Sequence, residues 1–492
     1  MLLNRVVTLL LALALLIVVG ANAFRHITQS QYLEYDEFYS LERSHGFDKF
    51  NDWLSVYSLN EPTAKKPPLQ YWLNAVAINL GMRDVTALRF WSWVFFLGLL
   101  LVTAATSLYL KPDNPWVMPA AILLLASSTQ LTALARSGLL DTGMGLLMMA
   151  GLLTFLYARH QPRIWLLCGV VLGLGALQKA PVALLFIAVL LLIFRVKGDT
   201  EIRWQQLRQN RYFNRGLWIT LILFLAWPIL QSFKYGGDYL NVAIKQQMLN
   251  RFSPLRPESE VRSGAFDWVG WLWADLHWFA IVAGCCTLAA VLLPRWRRQT
   301  DTFAYAALAL LVIAAFTLAS GKIYSRYLAV LTPLMVCVSV KVMADLIPWK
   351  PAVFLIGAVF FAIAFPDIDR IIDGEERGHN YFEVRDTVAY IDRFREDSDY
   401  VLINLGLLPP GAYGYFGESR APFRAYDEMD EKRVAKYLDK LDLVARNLSL
   451  LGMDKVESRA QLEQVMPGLQ VLDIAGDTMI WRFRPSPEMT LE

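Results

Sequence analysis

The sequence predicts a mainly α-helical, polytopic membrane protein of about eleven transmembrane helices, with a small α/β domain at its C-terminal end. Three observations predict it. Apolar runs recur along the first three quarters of the chain, most of them near the roughly 20 residues that a hydrocarbon core requires. Charged residues make up only 18% of the 492 positions, against about 25% in ordinary soluble domains. Past Pro366 the character changes, and charge with short apolar runs replaces the long ones. The net charge of +3 sets up no global basic field, so the composition does not point to nucleic acid.

The first run, residues 6–24, follows Arg5, is long for a signal-peptide core and lacks a small-residue cleavage site. It reads as a retained first helix. Further runs cover residues 87–110, 116–133, 142–157, 164–177 and 181–194, and after a polar break 217–233, 271–293, 303–320, 328–347 and 352–365. The fifth and sixth are short and meet at Lys179. Many of the 16 Trp and 20 Tyr stand at the ends of these runs, where amphipathic rings settle at a membrane interface. Cys168, Cys285, Cys286 and Cys337 all lie inside apolar runs without metal-ligand spacing, and read as small buried hydrophobes.

Orientation follows from basic residues in short loops. A cytoplasmic N-terminus puts Lys111, Arg159, Arg163, Arg295, Arg297, Arg298 and Lys350 inside. The same choice places Arg195, Lys197, Arg203, Arg208, Arg211 and Arg215 inside, and the opposite choice would expose all of them outside. The outer side then receives loop 25–86, the turn from Arg136 to Asp141, the turn at Lys179, loop 234–270, the turn from Gly321 to Tyr327, and the tail. The expected division is residues 1–366 as a membrane domain with its outer loops, and 367–492 as a soluble α/β domain. In the tail, Tyr400-Val-Leu-Ile-Asn and Met479-Ile-Trp-Arg-Phe read as strands and residues 430–447 as a helix. This arrangement suits a bacterial inner membrane with the tail in the periplasm.

Ionisable residues gather on the outer side. Asp36 and Glu37 present adjacent carboxylates soon after the first helix; a solvated pair is the plain reading, a general base or a cation ligand the functional one. Lys65 and Lys66 precede Pro67-Pro68, a stiff segment that leads into Leu69-Gln-Tyr71-Trp72, an interfacial helix pattern. Lysine at headgroup level either snorkels or meets a lipid phosphate. Arg136 and Asp141 bracket one turn, Lys179 interrupts an apolar stretch, and Lys322, Tyr324, Arg326 and Tyr327 crowd another turn. Charge at membrane depth faces a partner or a water-filled cavity. Several cations with two or three carboxylates on one face suit an anionic lipid substrate.

In this order the motifs resemble a known family. They are Asp36-Glu37, Lys66-Pro-Pro-Leu-Gln-Tyr71-Trp-Leu, Leu140-Asp141, the stretch from Gly173 to Val182 around Lys179, and the turn from Lys322 to Tyr327. Together they are similar to the polytopic glycosyltransferases of the GT-C fold, in the branch of the lipid A aminoarabinose transferases and the protein O-mannosyltransferases. Asn250-Arg-Phe and the Ser263-Gly-Ala-Phe-Asp-Trp stretch match more loosely. The resemblance implies a sugar moved from a polyprenyl-phosphate donor to lipid A, another envelope glycan or a protein at the periplasmic face, with membrane lipids as neighbours. It implies Asp36 as base or acceptor-orienting carboxylate, with Glu37 and Asp141 beside it. Lys66, Lys179 and Arg326 would hold the donor phosphate, and Tyr71, Arg136, Lys322, Tyr324 and Tyr327 would complete the substrate site. The resemblance fixes no cofactor, and a divalent metal at Asp36 and Glu37 stays open. Lys65 stands where the lipid A branch often has an acidic residue, and Gln178 and Ala180 replace a common Thr and Gly, so sugar and acceptor stay unassigned.

Three rivals predict other features. A lipid or solute transporter predicts paired interrupted halves with polar residues at mid-membrane; here the charges gather at one face. A ligase or polymerase of lipid-linked glycans predicts a long late outer loop, whereas the long loop here is the first. A scaffold acting through the tail leaves the Lys66-Pro-Pro and Lys179 elements unexplained.

Overall fold

The computed structural model describes residues 2–27, 32–179, 182–198, 202–236, 264–318, 324–374, 378–441, 443 and 446–485. Two units make up the chain: Met1–Gln29 with Ala64–Glu375, and Ser30–Thr63 with Glu376–Glu492. Residues 30–63, expected as part of an outer loop on the membrane domain, therefore belong with the C-terminal unit.

The first unit is a bundle of apolar helices, because hydrocarbon offers no partner for unpaired backbone groups. Among the described residues, seven helices are long and apolar enough to cross a membrane, and up to nine spans result if each of two bent pairs counts as one. The bent pairs are Val117–Ala126 with Thr129–Ala135, turned by 78°, and Asp267–Leu276 with Trp278–Leu292, turned by 115°. Two shorter apolar helices, Ile164–Gln178 and Ala183–Val196, are the short fifth and sixth runs of the sequence. At 1.5 Å per residue a helix of that length reaches only about 22 Å, less than a full hydrocarbon core. With these two, the apolar segments follow the expected order.

Helix Leu328–Leu346 lies at the centre, with Ala329, Leu331, Met335, Val338 and Val340 fully buried. Small residues let neighbours come close. A Cβ on Gly145 would sit 2.7 Å from the Ala329 carbonyl, and one on Gly169 only 2.2 Å from the Gly216 carbonyl. Where helices Ile164–Gln178 and Arg211–Tyr235 meet, the Thr220 hydroxyl donates to the Gly169 carbonyl at 3.1 Å.

Charges collect at the two ends of the bundle. At one end Lys111 bridges Asp113 and Asp345, each at 3.0 Å, and Arg159 pairs with Asp301 at 2.7 Å. At the other, Arg25 bridges Asp369 at 2.6 Å and Asp373 at 2.8 Å, tying the C-terminal ends of helices Leu2–Phe24 and Ala352–Asp373.

The second unit holds a five-stranded sheet in the order Arg424–Tyr426, Asp399–Asn404, Ser449–Lys455, Thr478–Phe483, Gln470–Ala475. The first three strands run parallel and the last two pairings are antiparallel. Both strands expected from the sequence are in it, and helix Glu431–Leu441 covers the start of the expected helical stretch. Residues 32–62 complete the unit. Tyr32 and Leu33 pair with Asn380 and His379. Helix Tyr35–Lys49 packs on Pro410–Phe416 so closely that a Cβ on Gly411 would lie 2.5 Å from the Tyr39 nitrogen.

Candidate active site

In the bundle, the end that carries Arg25 also carries the expected site residues of the first unit. Asp141 opens helix Asp141–His160, where the positive end of the helix dipole favours a carboxylate. Lys179 follows the last residue of helix Ile164–Gln178, where the negative end favours an ammonium. The two meet at 2.5 Å with side chains only 3% and 9% exposed, so neither charge is left to water. The Lys179 ammonium also lies 5.0 Å from the centre of the Tyr327 ring. Arg326 stacks 4.5 Å over Tyr324, and the Tyr324 and Tyr327 rings meet edge-on at 6.0 Å. Tyr324, Arg326 and Tyr327 sit in the short turn that enters the central helix, and Tyr324 is exposed, so the cluster opens outward there. The Lys179 ammonium, the Arg326 guanidinium and the two phenols bring donors together in a poorly solvated setting, a chemistry that suits a phosphate.

Beneath this cluster lies a buried polar layer that links three segments. Gln70 Nε2 donates to Ser92 Oγ at 3.2 Å and to the Leu139 carbonyl at 3.1 Å. Gln178 Nε2 donates to Gln70 Oε1 at 2.5 Å and to the Leu140 carbonyl at 3.2 Å. Gln70, Ser92 and Gln178 are fully buried. The Lys66-Pro67-Pro68 segment thereby connects with the Leu140-Asp141 and Lys179 segments: Pro68 caps helix Leu69–Asn79, Gln70 lies in its first turn, and Lys66 is half-buried just ahead of it. Tyr71, in the same turn, is fully buried and packs inside the bundle.

Arg136 joins helix ends. Its guanidinium donates to the carbonyls of Ala23 at 2.8 Å, Arg25 at 2.5 Å and Ile372 at 2.9 Å, capping the C-termini of two helices.

Asp36 and Glu37 belong to the second unit, in the first turn of helix Tyr35–Lys49. Glu37 turns back and accepts from the Glu34 nitrogen at 2.9 Å, closing a capping box. Asp36 is half-buried. The phenols on either side of it are pushed up, Tyr35 well above its usual range and Tyr39 to about 12, first by burial and then by neighbouring charge. A divalent ion wants several oxygen ligands. Among the described residues no three His, Cys, Asp or Glu converge, and Glu37 is engaged with its own helix. Lys322 and the stretch of residues 250–263 lie outside the described residues.

Sequence reading missed four groups. Gln70 and Gln178 form the polar layer; the signal was a glutamine directly beside Lys179 and another inside the Lys66-Pro-Pro motif. Asp275 Oδ1 accepts from Ser128 Oγ at 2.5 Å and from the Gln130 nitrogen at 2.9 Å, while Oδ2 accepts from Thr332 Oγ1 at 3.1 Å. This one carboxylate pins both helix breaks to the central helix, and its signal was a lone acid within Trp273-Ala-Asp-Leu-His-Trp278. In the second unit Glu42 is buried and pushed up to about 8, chiefly by desolvation, and accepts from the amides of Leu59 and Asn60.

Comparison with known proteins bears on this arrangement. The family described as dolichyl-phosphate-mannose-protein mannosyltransferase matches residues 8–232. No curated protein sequence matches. The structure is similar to ArnT from Cupriavidus metallidurans bound to undecaprenyl phosphate, with a TM-score of 0.68 and 14% identity over 96% of this chain and 97% of that one. Arabinofuranosyltransferase AftD from Mycobacteria gives a TM-score of 0.53 at 14% identity, over 96% of this chain and 40% of the other. The Archaeoglobus fulgidus oligosaccharyltransferase complex with Zn and sulfate gives 0.50 at 11% identity, over 92% and 69%. At such identities the likeness speaks for the fold, and that fold is GT-C. With the mannosyltransferase match over residues 8–232, this chain is a multi-span membrane glycosyltransferase of the GT-C fold.

Proposed function

We propose that the enzyme takes its sugar from a polyprenyl-phosphate donor and places it on a cell-envelope acceptor (lipid A, another outer glycan or a protein) at the periplasmic face of a bacterial inner membrane. The observation that carries this reading is the buried Asp141–Lys179 pair with Tyr327 against it and Arg326 on the same turn. The undecaprenyl phosphate bound in the ArnT neighbour supports the donor class. Orientation rests on the bundle end that carries Lys111, Arg159 and Lys350, which the positive-inside rule assigns to the cytoplasm.

In this reading an acceptor hydroxyl oxygen attacks the anomeric carbon of the sugar. The bond from that carbon to the phosphate oxygen breaks, and polyprenyl phosphate departs with the bonding electrons. A single in-line displacement inverts the anomeric centre. The departing phosphate gains charge, which Lys179, Arg326 and Lys66 stabilise, while Asp141 keeps Lys179 aimed. Asp36 takes the hydroxyl proton or orients the acceptor; the resemblance of its motif supports that role. Tyr324 and Tyr327 wall the phosphate site.

The test uses purified enzyme in detergent, undecaprenyl-phosphate sugars and an envelope extract as acceptor. Wild type should release undecaprenyl phosphate. Lys66→Ala and Lys179→Ala should weaken donor binding, and Asp36→Ala should bind donor but turn over slowly. Wild type that ignores every lipid-linked sugar overturns the reading.

A further inference from the structure

The polar layer under the ion pair has a feature that packing does not explain. Gln178 and Lys179 are neighbours in sequence, yet their side chains serve different ends of one construction. Lys179 pairs with Asp141 at 2.5 Å. Gln178 passes beneath, reaching the Leu140 carbonyl at 3.2 Å and Gln70 Oε1 at 2.5 Å. Gln70 in turn grips the Leu139 carbonyl at 3.1 Å. The two amides therefore hold the two peptide carbonyls immediately before Asp141 and join them to the helix that follows Lys66-Pro67-Pro68.

Room for this bridge is built into the backbone. A Cβ on Gly143 would come within 2.4 Å of Gln178 Nε2 and 2.8 Å of a Phe95 ring carbon, so any larger residue there would press on the amide. Among the described residues Gln178 Oε1 finds no donor, although the side chain is fully buried. Leaving a buried acceptor unsatisfied destabilises a fold. An apolar side chain of similar volume would avoid that loss, so the amide is kept for what its Nε2 does.

We propose that Gln70 and Gln178 act as one positioning unit for the donor-phosphate site, fixing Lys179 and Asp141 relative to the Lys66 segment. The proposal rests on the phosphate role of Lys179 given above. Neither glutamine touches substrate. Their effect passes through the Leu139 and Leu140 carbonyls and through the backbone that Gln178 shares with Lys179. A displacement of the lysine by about 1 Å is enough to cost a catalytic site up to roughly a hundredfold in rate.

The test compares wild type, Gln178→Met, Gln70→Met and the double variant, since methionine keeps the volume and removes the amide. Three quantities are read: undecaprenyl phosphate affinity, donor kcat and KM per folded enzyme, and melting temperature. Each single variant should lose about ten- to a hundredfold in kcat, with KM moving little. The double variant should lose no more than either single, because one bridge is broken only once. Gly143→Ala should reproduce the loss from the other side while leaving both amides in place, and it serves if a methionine variant fails to fold. Wild-type kcat in the single variants, losses that multiply in the double, or a lower melting temperature with unchanged kcat would each overturn the inference alone. Wild type that neither binds undecaprenyl phosphate nor consumes its sugars overturns it together with the reading beneath it.

Discussion

Removing one member of the Asp141–Lys179 pair should be far more harmful than removing both. Lys179→Met leaves the Asp141 carboxylate, 3% exposed, without its ammonium. Breaking one side of a buried ion pair destabilises by about 3–5 kcal/mol, because the surviving charge stays desolvated. At roughly 2 °C per kcal/mol for a large domain, the melting temperature should fall by about 6–10 °C. Asp141→Leu should do the same by stranding the ammonium. The double variant Asp141→Leu with Lys179→Met places two apolar side chains in contact and should recover to within about 1 kcal/mol of wild type, as buried pairs replaced by hydrophobes commonly do. Activity should stay lost in all three. The assay is thermal unfolding in detergent followed by tryptophan fluorescence, run beside donor turnover. A Lys179→Met protein that melts like wild type refutes the buried pair. A double variant as unstable as either single shows that lost volume, and not a stranded charge, does the damage.

Asp275→Ala should destabilise the bundle by about 3–5 kcal/mol, because two donors at one helix break and one on the central helix lose a charged acceptor; the check is detergent melting, and a shift under 2 °C counts against the pin. Arg136→Leu uncaps two helices at once by removing three carbonyl bonds and should cost about 2–4 kcal/mol, read as faster hydrogen exchange at Ala23–Arg25 and Ile372. In the second unit Glu42 sets a pH dependence. Its folded pKa, about 8, lies above the ordinary carboxylate value, so folding favours the protonated form. The stability it contributes is full below about pH 4.3 and is lost as pH rises toward 8, by up to about 5 kcal/mol. Glu42→Gln should flatten that slope, and an unchanged slope from pH 5 to 8 sinks the assignment. Lys49, pushed down to about 8 chiefly by burial, acts above that window and in the opposite sense.

The membrane segments were legible because a 20-residue apolar run has few alternatives, and the charged residues flanking the segments stood out for the same reason. Asp141, Lys179, Arg326 and Tyr327 were therefore nameable, and the structure brings these four together. Arg136 looked no different from them in sequence, since an arginine in a turn shows nothing of which carbonyls it will reach. The helix breaks left a weaker trace. Ser128 accepts from the Leu131 nitrogen at 3.0 Å, an N-cap inside what reads as one apolar run. His277, with φ of 49°, carries no comparable signal. Gln70 and Gln178 were hidden because a neutral polar residue in an apolar helix is equally compatible with a partner and with none. The membership of residues 30–63 was hidden for a different reason. Pairings such as Tyr32 with Asn380 depend on tertiary contact alone, and no local pattern announces them.

That membership sets a schedule for making the protein. Lys49 donates to Gly414, 365 residues further along the chain. At ribosomal speeds of about 5–20 residues per second, those partners are born roughly 20–70 s apart. Throughout that interval the whole bundle is being threaded into the bilayer, while Phe38, Leu41 and Phe47, fully buried in the finished fold, have nothing to bury against. The early segment is thus a nascent orphan that only the last hundred residues can adopt. A chain truncated before the sheet would be inserted yet permanently unfinished, which makes this segment a natural place for a membrane protease or chaperone to distinguish complete chains from interrupted ones.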